Sequence, residues 1–395
     1  MTDLDPPRYL GTFSVNNISS SGVSIFTHHS VTSSHSLPTM SGTQFELADP
    51  PADPISAVRF APNSPTRLLA SSWDKNVYLY DTKDGQNGKL IQRIPHRAAV
   101  LDVCFGGDDN TAYSAGLDWD VNKIDLETGG KTLLSSHEKG VKSIAYSANH
   151  SLLISASWDS TIHVHILDHQ GRLSHAPATV KLQSRPFSMS MTETKVVVAL
   201  ASRQMVVYDL AALKMLAQSA APSDESHGVN VLEIAPFQLR ESSLKFMTRT
   251  INCMPNDQGY AVSSIEGRVG VDWFDSSAES QAQKYAFKCH RQTEGDVDVV
   301  YPVNALAYHP IHKGSFASGG GDGFVILWDG ITKRRIRQYQ AYPASVASLA
   351  WSSDGKYLAV GVSPGFEDGK EDLDGPNMIF IRELSENEAK GKSSK

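Results

Sequence analysis

Two tryptophans and three cations are the side chains of this chain best suited to holding a ligand, and the ligand they suit is a peptide. Trp73 sits in Ser72-Trp73-Asp74 and Trp158 in Ser157-Trp158-Asp159, the same tripeptide twice. A tryptophan at an exposed turn costs apolar hydration unless something covers it, and tryptophan is a favoured anchor in protein interfaces. Packing against a neighbouring loop would also explain one such residue; two at matched positions favour binding. Arg249 closes the string Glu241-Ser-Ser-Leu-Lys-Phe-Met-Thr-Arg249 and should lie in a strand among apolar neighbours. There it needs an acidic partner or solvent. A carboxylate of a bound peptide would serve, and so would an internal salt bridge. Arg268, in the turn Ile265-Glu-Gly-Arg268, and Lys288, ending Lys284-Tyr-Ala-Phe-Lys288, form a second group. Two converging cations suit a phosphate, which carries roughly −1.5 to −2 charges at neutral pH. Read separately, they are ordinary solvated surface cations.

Catalytic patterns are missing. The chain has no Gly-x-x-x-x-Gly-Lys-Ser/Thr loop, no His-Glu-x-x-His and no Gly-x-Ser-x-Gly. Gly319-Gly-Gly-Asp-Gly323 resembles a phosphate cradle, but strand follows it instead of a helix. His96, His137 and His290 recur before strands and read as structural hydrogen-bonding residues. The acidic run Glu367-Asp-Gly-Lys-Glu-Asp-Leu-Asp-Gly375 lacks calcium-loop spacing. The expectation is a non-enzymatic chain with no cofactor and no metal.

What must position the five residues is a repeat. Seven apolar alternations end in an acid: Asp81, Asp125, Asp168, Asp209, Asp275, Asp329 and, more degenerate, Glu383, spaced 44, 43, 41, 66, 54 and 54 residues apart. The first three spacings match a WD40 repeat of about 40–45 residues. The excess in the others falls on Ala217 to Arg240, Ser276 to Gln283 with Gln292 to Asp298, and Gly365 to Pro376, which read as loop insertions. Each repeat also carries two earlier strands, as in Ile55 to Phe60 and Leu68 to Ser72. Four short strands per repeat make a propeller blade, so the fold expected is all-β, a seven-bladed WD40-type β-propeller. A ring removes exposed sheet edges, and Thr43 to Leu47 is placed to close it against Ile379 to Ile381. Apart from an ambiguous Leu210 to Ser219, no helical period runs beyond a turn or two. In such a blade the turn between the second and third strands shares a face with the end of the outer strand, which gathers the five residues on one surface.

The chain has 395 residues with 36 Lys and Arg against 43 Asp and Glu, a net charge of −7. That gives no global basic field for nucleic acid or anionic membrane. Cys104, Cys253 and Cys289 are far apart, which argues against a zinc site or a disulfide framework and fits a reducing compartment. No apolar run approaches membrane-spanning length. Residues 1–39, rich in Ser, Thr and His, read as a disordered extension, or as sequence upstream of a start at Met40. The propeller is expected over 40–386, with a flexible lysine-rich tail over 387–395.

Several strings are more specific than the repeat. Arg240-Glu-Ser-Ser-Leu-Lys-Phe-Met-Thr-Arg249, Ser263-Ser-Ile-Glu-Gly-Arg-Val269, Tyr285-Ala-Phe-Lys-Cys-His-Arg291, Tyr301-Pro-Val-Asn304 and Gly321-Asp-Gly-Phe-Val325 resemble the budding-uninhibited-by-benzimidazole propeller of the spindle assembly checkpoint, from about Met40 to Glu386. The resemblance implies a monomeric adaptor in hetero-complexes, nuclear and at the kinetochore in mitosis, with two peptide partners. One is a glutamate-containing motif of the checkpoint kinase and its pseudokinase-like relative, met by Arg249, Trp73 and Trp158. The other is a phosphothreonine repeat of the outer-kinetochore scaffold, read by Arg268 and Lys288. The sister propeller of messenger-RNA export at the nuclear pore shares the Ile-Glu-Gly-Arg-Val and Phe-Lys-Cys-His-Arg strings and is the alternative; Glu241 to Leu244, Ser263-Ser264 and Tyr301 to Asn304 point to the checkpoint branch.

Overall fold

The computed structural model describes residues 44–83, 87–219, 231–365 and 375–391. The periodic segments form seven antiparallel sheets around an axis. Their inner strands are Ile55–Phe60, Val100–Phe105, Val141–Ser147, Pro186–Met191, Thr248–Cys253, Val303–Tyr308 and Val346–Trp351, and each touches the next, the last returning to the first. The ring closes as expected: Gln44–Glu46 forms the outer strand of blade seven, with Phe45 opposite Ile381.

Burial follows from the ring. The second strand of each blade has a neighbouring blade on both sides, so Leu152–Ser157 and Gly259–Ser264 are buried at every residue. The outer strands keep one face in water, and Lys89–Pro95 alternates between exposed and covered residues. The apolar core is accordingly divided into seven clusters, one at each junction between blades. Leu69, Val77 and Leu79 of blade one meet Val100, Val103 and Ile124 of blade two, while Val262 and Ile251 of blade five meet Val197 and Val207 of blade four.

The segments expected to be loops are more ordered than that. Leu210–Ser219 is an α-helix, capped where the Ala212 N–H donates to Asp209 Oδ1 at 2.9 Å. Its Leu210, Leu213 and Ala217 pack into the cluster between blades three and four; a tertiary surface turned a weak period into a helix. Within the expected loop Ala217 to Arg240, Val231–Leu232 adds a parallel strand to the outer strand of blade three, and Gln238–Glu241 is the outer strand of blade four; 220–230 lie outside the described residues. Ser276 to Gln283 contains the short helix Ala278–Ala282, and Gln292 to Asp298 lies in a hairpin pairing Arg291–Glu294 with Val297–Val300. Of the acidic loop, 366–374 lie outside the described residues, as do the first 43 and the last four. From the segment read as a flexible tail, 387–391 dock on the rim: Ala389 is buried, and Glu388 accepts a hydrogen bond from the Tyr339 hydroxyl at 2.8 Å while facing Arg337 at 3.2 Å.

Candidate functional site

Antiparallel strands put the start of the inner strand, the end of the second, the start of the third and the end of the outer strand at one end of every blade. All five candidate residues occupy those positions. Trp73 and Trp158 sit in turns after second strands, Arg249 is the second residue of an inner strand, Arg268 opens a third strand and Lys288 ends an outer one. The proposal that one face gathers them needs only this topology.

A repeated irregularity then aims side chains into the central channel. All seven inner strands carry a register shift near their start, at Ile55/Ala57, Val100/Asp102, Val141/Ser143, Pro186/Ser188, Thr248/Ile251, Val303/Ala305 and Val346/Ser348. A β-bulge leaves one residue unpaired and turns its side chain away from the ladder. The bulged residues Ser56, Leu101, Lys142, Phe187, Arg249, Asn304 and Ala347 all line a cavity of about 2790 Å³ that includes the channel and its mouth. Arg249 enters this cavity because blade five bulges there, which a strand pattern by itself does not reveal.

Inside the mouth Arg249 is exposed, and its guanidinium donates to Asn304 Oδ1 from Nε at 2.9 Å and Nη2 at 2.7 Å. Asn304, the bulged residue of the next blade, donates in turn to Ser345 Oγ at 2.9 Å. The arginine is thus steered by a neutral amide, so its positive charge is not cancelled by that contact. Lys142 lies part-buried in the same channel; burial lowers its pKa, with Arg249 and Arg59 adding to the effect and Asp102 opposing it. Arg59 is already paired with Asp102 at 2.9 Å. Around Lys142, then, three cations meet one carboxylate, and the wider cavity adds Lys139 and Arg185 against Glu138, Glu294 and Asp322.

Arg268 and Lys288 are brought together more directly than their spacing required. They are opposite partners on the third and outer strands of blade five. Directly opposite residues project from the same face of a sheet, with Cβ atoms about 4.5–5.5 Å apart. Lys288 is exposed and Arg268 half-buried. Sequence reasoning missed their neighbour Glu266, whose Oε1 lies 3.2 Å from Arg268 Nε. That nitrogen has no aligned hydrogen-bond acceptor, so the contact is Coulombic. Arg291 was missed as well; its guanidinium donates to the carbonyls of Glu266 at 3.1 Å and Gly267 at 3.4 Å and braces the turn.

The tryptophans occupy equivalent turn slots, and both line the cavity mouth. Trp73 is exposed, and Trp158 is half-buried beside Leu117, the residue in the same slot of blade two. Gly140 lies beneath this pair: a Cβ there would stand 3.0 Å from both Leu117 Cδ2 and Trp158 Cε3. The histidines behave as structural groups. His137 joins Asp159 at 3.1 Å to Ser155 at 2.9 Å, and His290 joins Asp322 at 2.9 Å to Ser318 at 2.8 Å. His96 departs from this pattern, bonding Ser114 Oγ and the Ile94 carbonyl.

Comparison with known proteins agrees with this architecture. Segments 45–81, 130–165, 285–329 and 333–370 match the model of the WD domain, G-beta repeat. The mitotic checkpoint protein BUB3.1 of Arabidopsis thaliana is 43% identical over 350 residues, covering 88% of this chain and 94% of that protein. The mitotic checkpoint protein bub3 of Dictyostelium discoideum is 37% identical over 343 residues, with 86% and 94% covered. The mRNA export factor GLE2 of Chaetomium thermophilum is 29% identical over 360 residues, with 88% and 92% covered.

Proposed function

The chain belongs to the BUB3 family of mitotic checkpoint propellers, and from that premise we propose that it is a non-enzymatic spindle-checkpoint adaptor which holds two peptides on one face. The first is a glutamate-bearing motif of the checkpoint kinase and its pseudokinase-like relative. A glutamate of that motif takes the outward side of Arg249 at the channel mouth, and apolar neighbours lie on Trp73 and Trp158. The second is a phosphothreonine repeat of the kinetochore scaffold, its phosphate held between Arg268 and Lys288. Joining the two brings checkpoint proteins to kinetochores during mitosis.

The observation that carries this reading is the placement of Arg268 opposite Lys288 on adjacent strands. Two cations on one sheet face can share a dianion through charge-assisted hydrogen bonds, each worth about 1.5–3 kcal/mol. A lone surface cation discriminates far less. The test is a titration of scaffold peptide with and without phosphate against the wild-type chain and the Arg268→Ala, Lys288→Ala double variant. Wild type should prefer the phosphopeptide by roughly 30-fold or more, and the double variant should bind both forms alike. Equal binding of the two forms by wild type would remove the reading, and capture of nuclear-pore peptides instead would favour the export branch. The higher identity to checkpoint relatives than to the export factor supports the checkpoint branch.

A further inference from the structure

The turn between second and third strands has the same backbone in six blades. Its third residue is left-handed each time: Lys75 (φ 69°), Trp119 (φ 70°), Ser160 (φ 67°), Arg203 (φ 63°), Gly267 (φ 63°) and Gly323 (φ 76°). The architecture imposes this conformation. In each of these six blades the carbonyl of that residue accepts a backbone N–H from the chain that follows the outer strand, as Trp119 does from His137 at 2.9 Å and Gly323 from Tyr342 at 2.8 Å. A left-handed residue brings its Cβ against its own backbone, so the slot suits glycine and tolerates short or flexible side chains. An indole is a poor choice for it.

Trp119 is 50% exposed, more than any other tryptophan among the large exposed apolar residues. It lines the same cavity as Trp73, Trp158 and Arg249, two residues from Leu117, which packs with Trp158 over Gly140. Backbone strain kept alongside an uncovered aromatic side chain points to a partner that covers it.

We infer that Trp119 is a third aromatic anchor of the peptide site and fixes which apolar residue the peptide carries. This rests on the reading of that face as the seat of a glutamate-bearing motif, and it adds the blade-two wall: an apolar side chain of the peptide, on the far side of the glutamate from blade five, lies against Trp119 and the Leu117–Trp158 pair. The occupant is an acidic peptide because Arg59, Lys142 and Arg249 meet beside the single carboxylate of Asp102 in the throat behind the wall, while the other charges lining the cavity nearly balance, Lys139 and Arg185 against Glu138, Glu294 and Asp322.

The slot supplies a test in which stability and binding move in opposite directions. Trp119→Gly relieves the left-handed strain, and Trp119→Asn, tolerated in that region, does so without opening the backbone to extra freedom. Both should keep or raise the Tm of the full chain and weaken binding of the kinase motif peptide by roughly tenfold or more, with phosphopeptide binding at blade five unchanged. Replacing the peptide's apolar residue with alanine should cost wild type affinity and cost the variants little. Unchanged motif affinity in both variants would overturn the inference while leaving the adaptor reading in place. A lowered Tm together with weaker binding of both peptides would also overturn it, making Trp119 a structural residue. Failure of wild type to bind the motif at all would remove the adaptor reading and this inference with it.

Discussion

Glu266→Gln should strengthen binding of a phosphothreonine peptide. Glu266 faces Arg268 at 3.2 Å, with side chains 19% and 35% exposed. At that exposure the pair is screened, and such pairs are worth about 0–1 kcal/mol. An arriving phosphate must displace the carboxylate from Arg268 and then remain beside it. In a water-like dielectric, unit charges about 4 Å apart repel by about 1 kcal/mol, and the phosphate carries nearly two charges. Removing the carboxylate's charge while keeping its shape should therefore gain about 0.7–1.4 kcal/mol, roughly a threefold to tenfold lower Kd. The turn itself is held by Arg291 through the Glu266 and Gly267 carbonyls, so its shape should survive. Fluorescence anisotropy with phosphorylated and plain peptides measures the effect. The plain peptide should change less than about twofold, and the gain should shrink as salt rises from about 0.05 to about 0.5 M and the screening length falls. A Glu266→Gln variant that binds phosphopeptide more weakly would refute the reasoning, because Glu266 would then be orienting Arg268 for the ligand instead of competing with it.

Two further outcomes follow from the geometry. Asn304→Leu removes the amide that steers Arg249 and should weaken the acidic motif peptide by about tenfold with a small change in Tm; calorimetric titration showing wild-type affinity would mean that the arginine finds its pose unaided. Stability should fall as pH drops below about 6.5, because burial holds His163 down to about 3 and His165 to about 4. Their folded values lie below the unfolded one, so between about pH 6.5 and 4 only the unfolded chain takes up these protons, and stability is complete above that window and lost going down through it. At pH 5 each costs about 2 kcal/mol; thermal melts that are flat from pH 7 to 5 would contradict this.

Spacing alone was enough to read the ring. Seven alternations ending in an acid, three of their six intervals near one blade length and the others lengthened by insertions, point to seven sheets, and the Gln44–Glu46 strand closes the ring. Because antiparallel strands fix which ends share a face, the grouping of Trp73, Trp158, Arg249, Arg268 and Lys288 on one surface was legible too. The extra length in blades four and five was not legible as structure. Leu210–Ser219 has only a weak helical period, and it becomes a helix because the junction between blades three and four offers its apolar residues a surface.

What the chain order could not show lies where separate repeats meet. Arg249 pairs with Asn304, 55 positions along, because a bulge in each of two neighbouring blades turns both side chains into the same throat. Glu266 appears as part of a turn motif in one dimension and as the carboxylate beside Arg268 in three. In Leu117-Asp118-Trp119 the tryptophan stands two positions past the slot of Trp73 and Trp158. The backbone shows that it occupies the third position of the turn, the one the blade forces left-handed. Local pattern determines strands and their ends, since these depend on side-chain alternation and turn chemistry. Which charges cancel, which remain and which side chain is strained depend on contacts made only after the ring has closed.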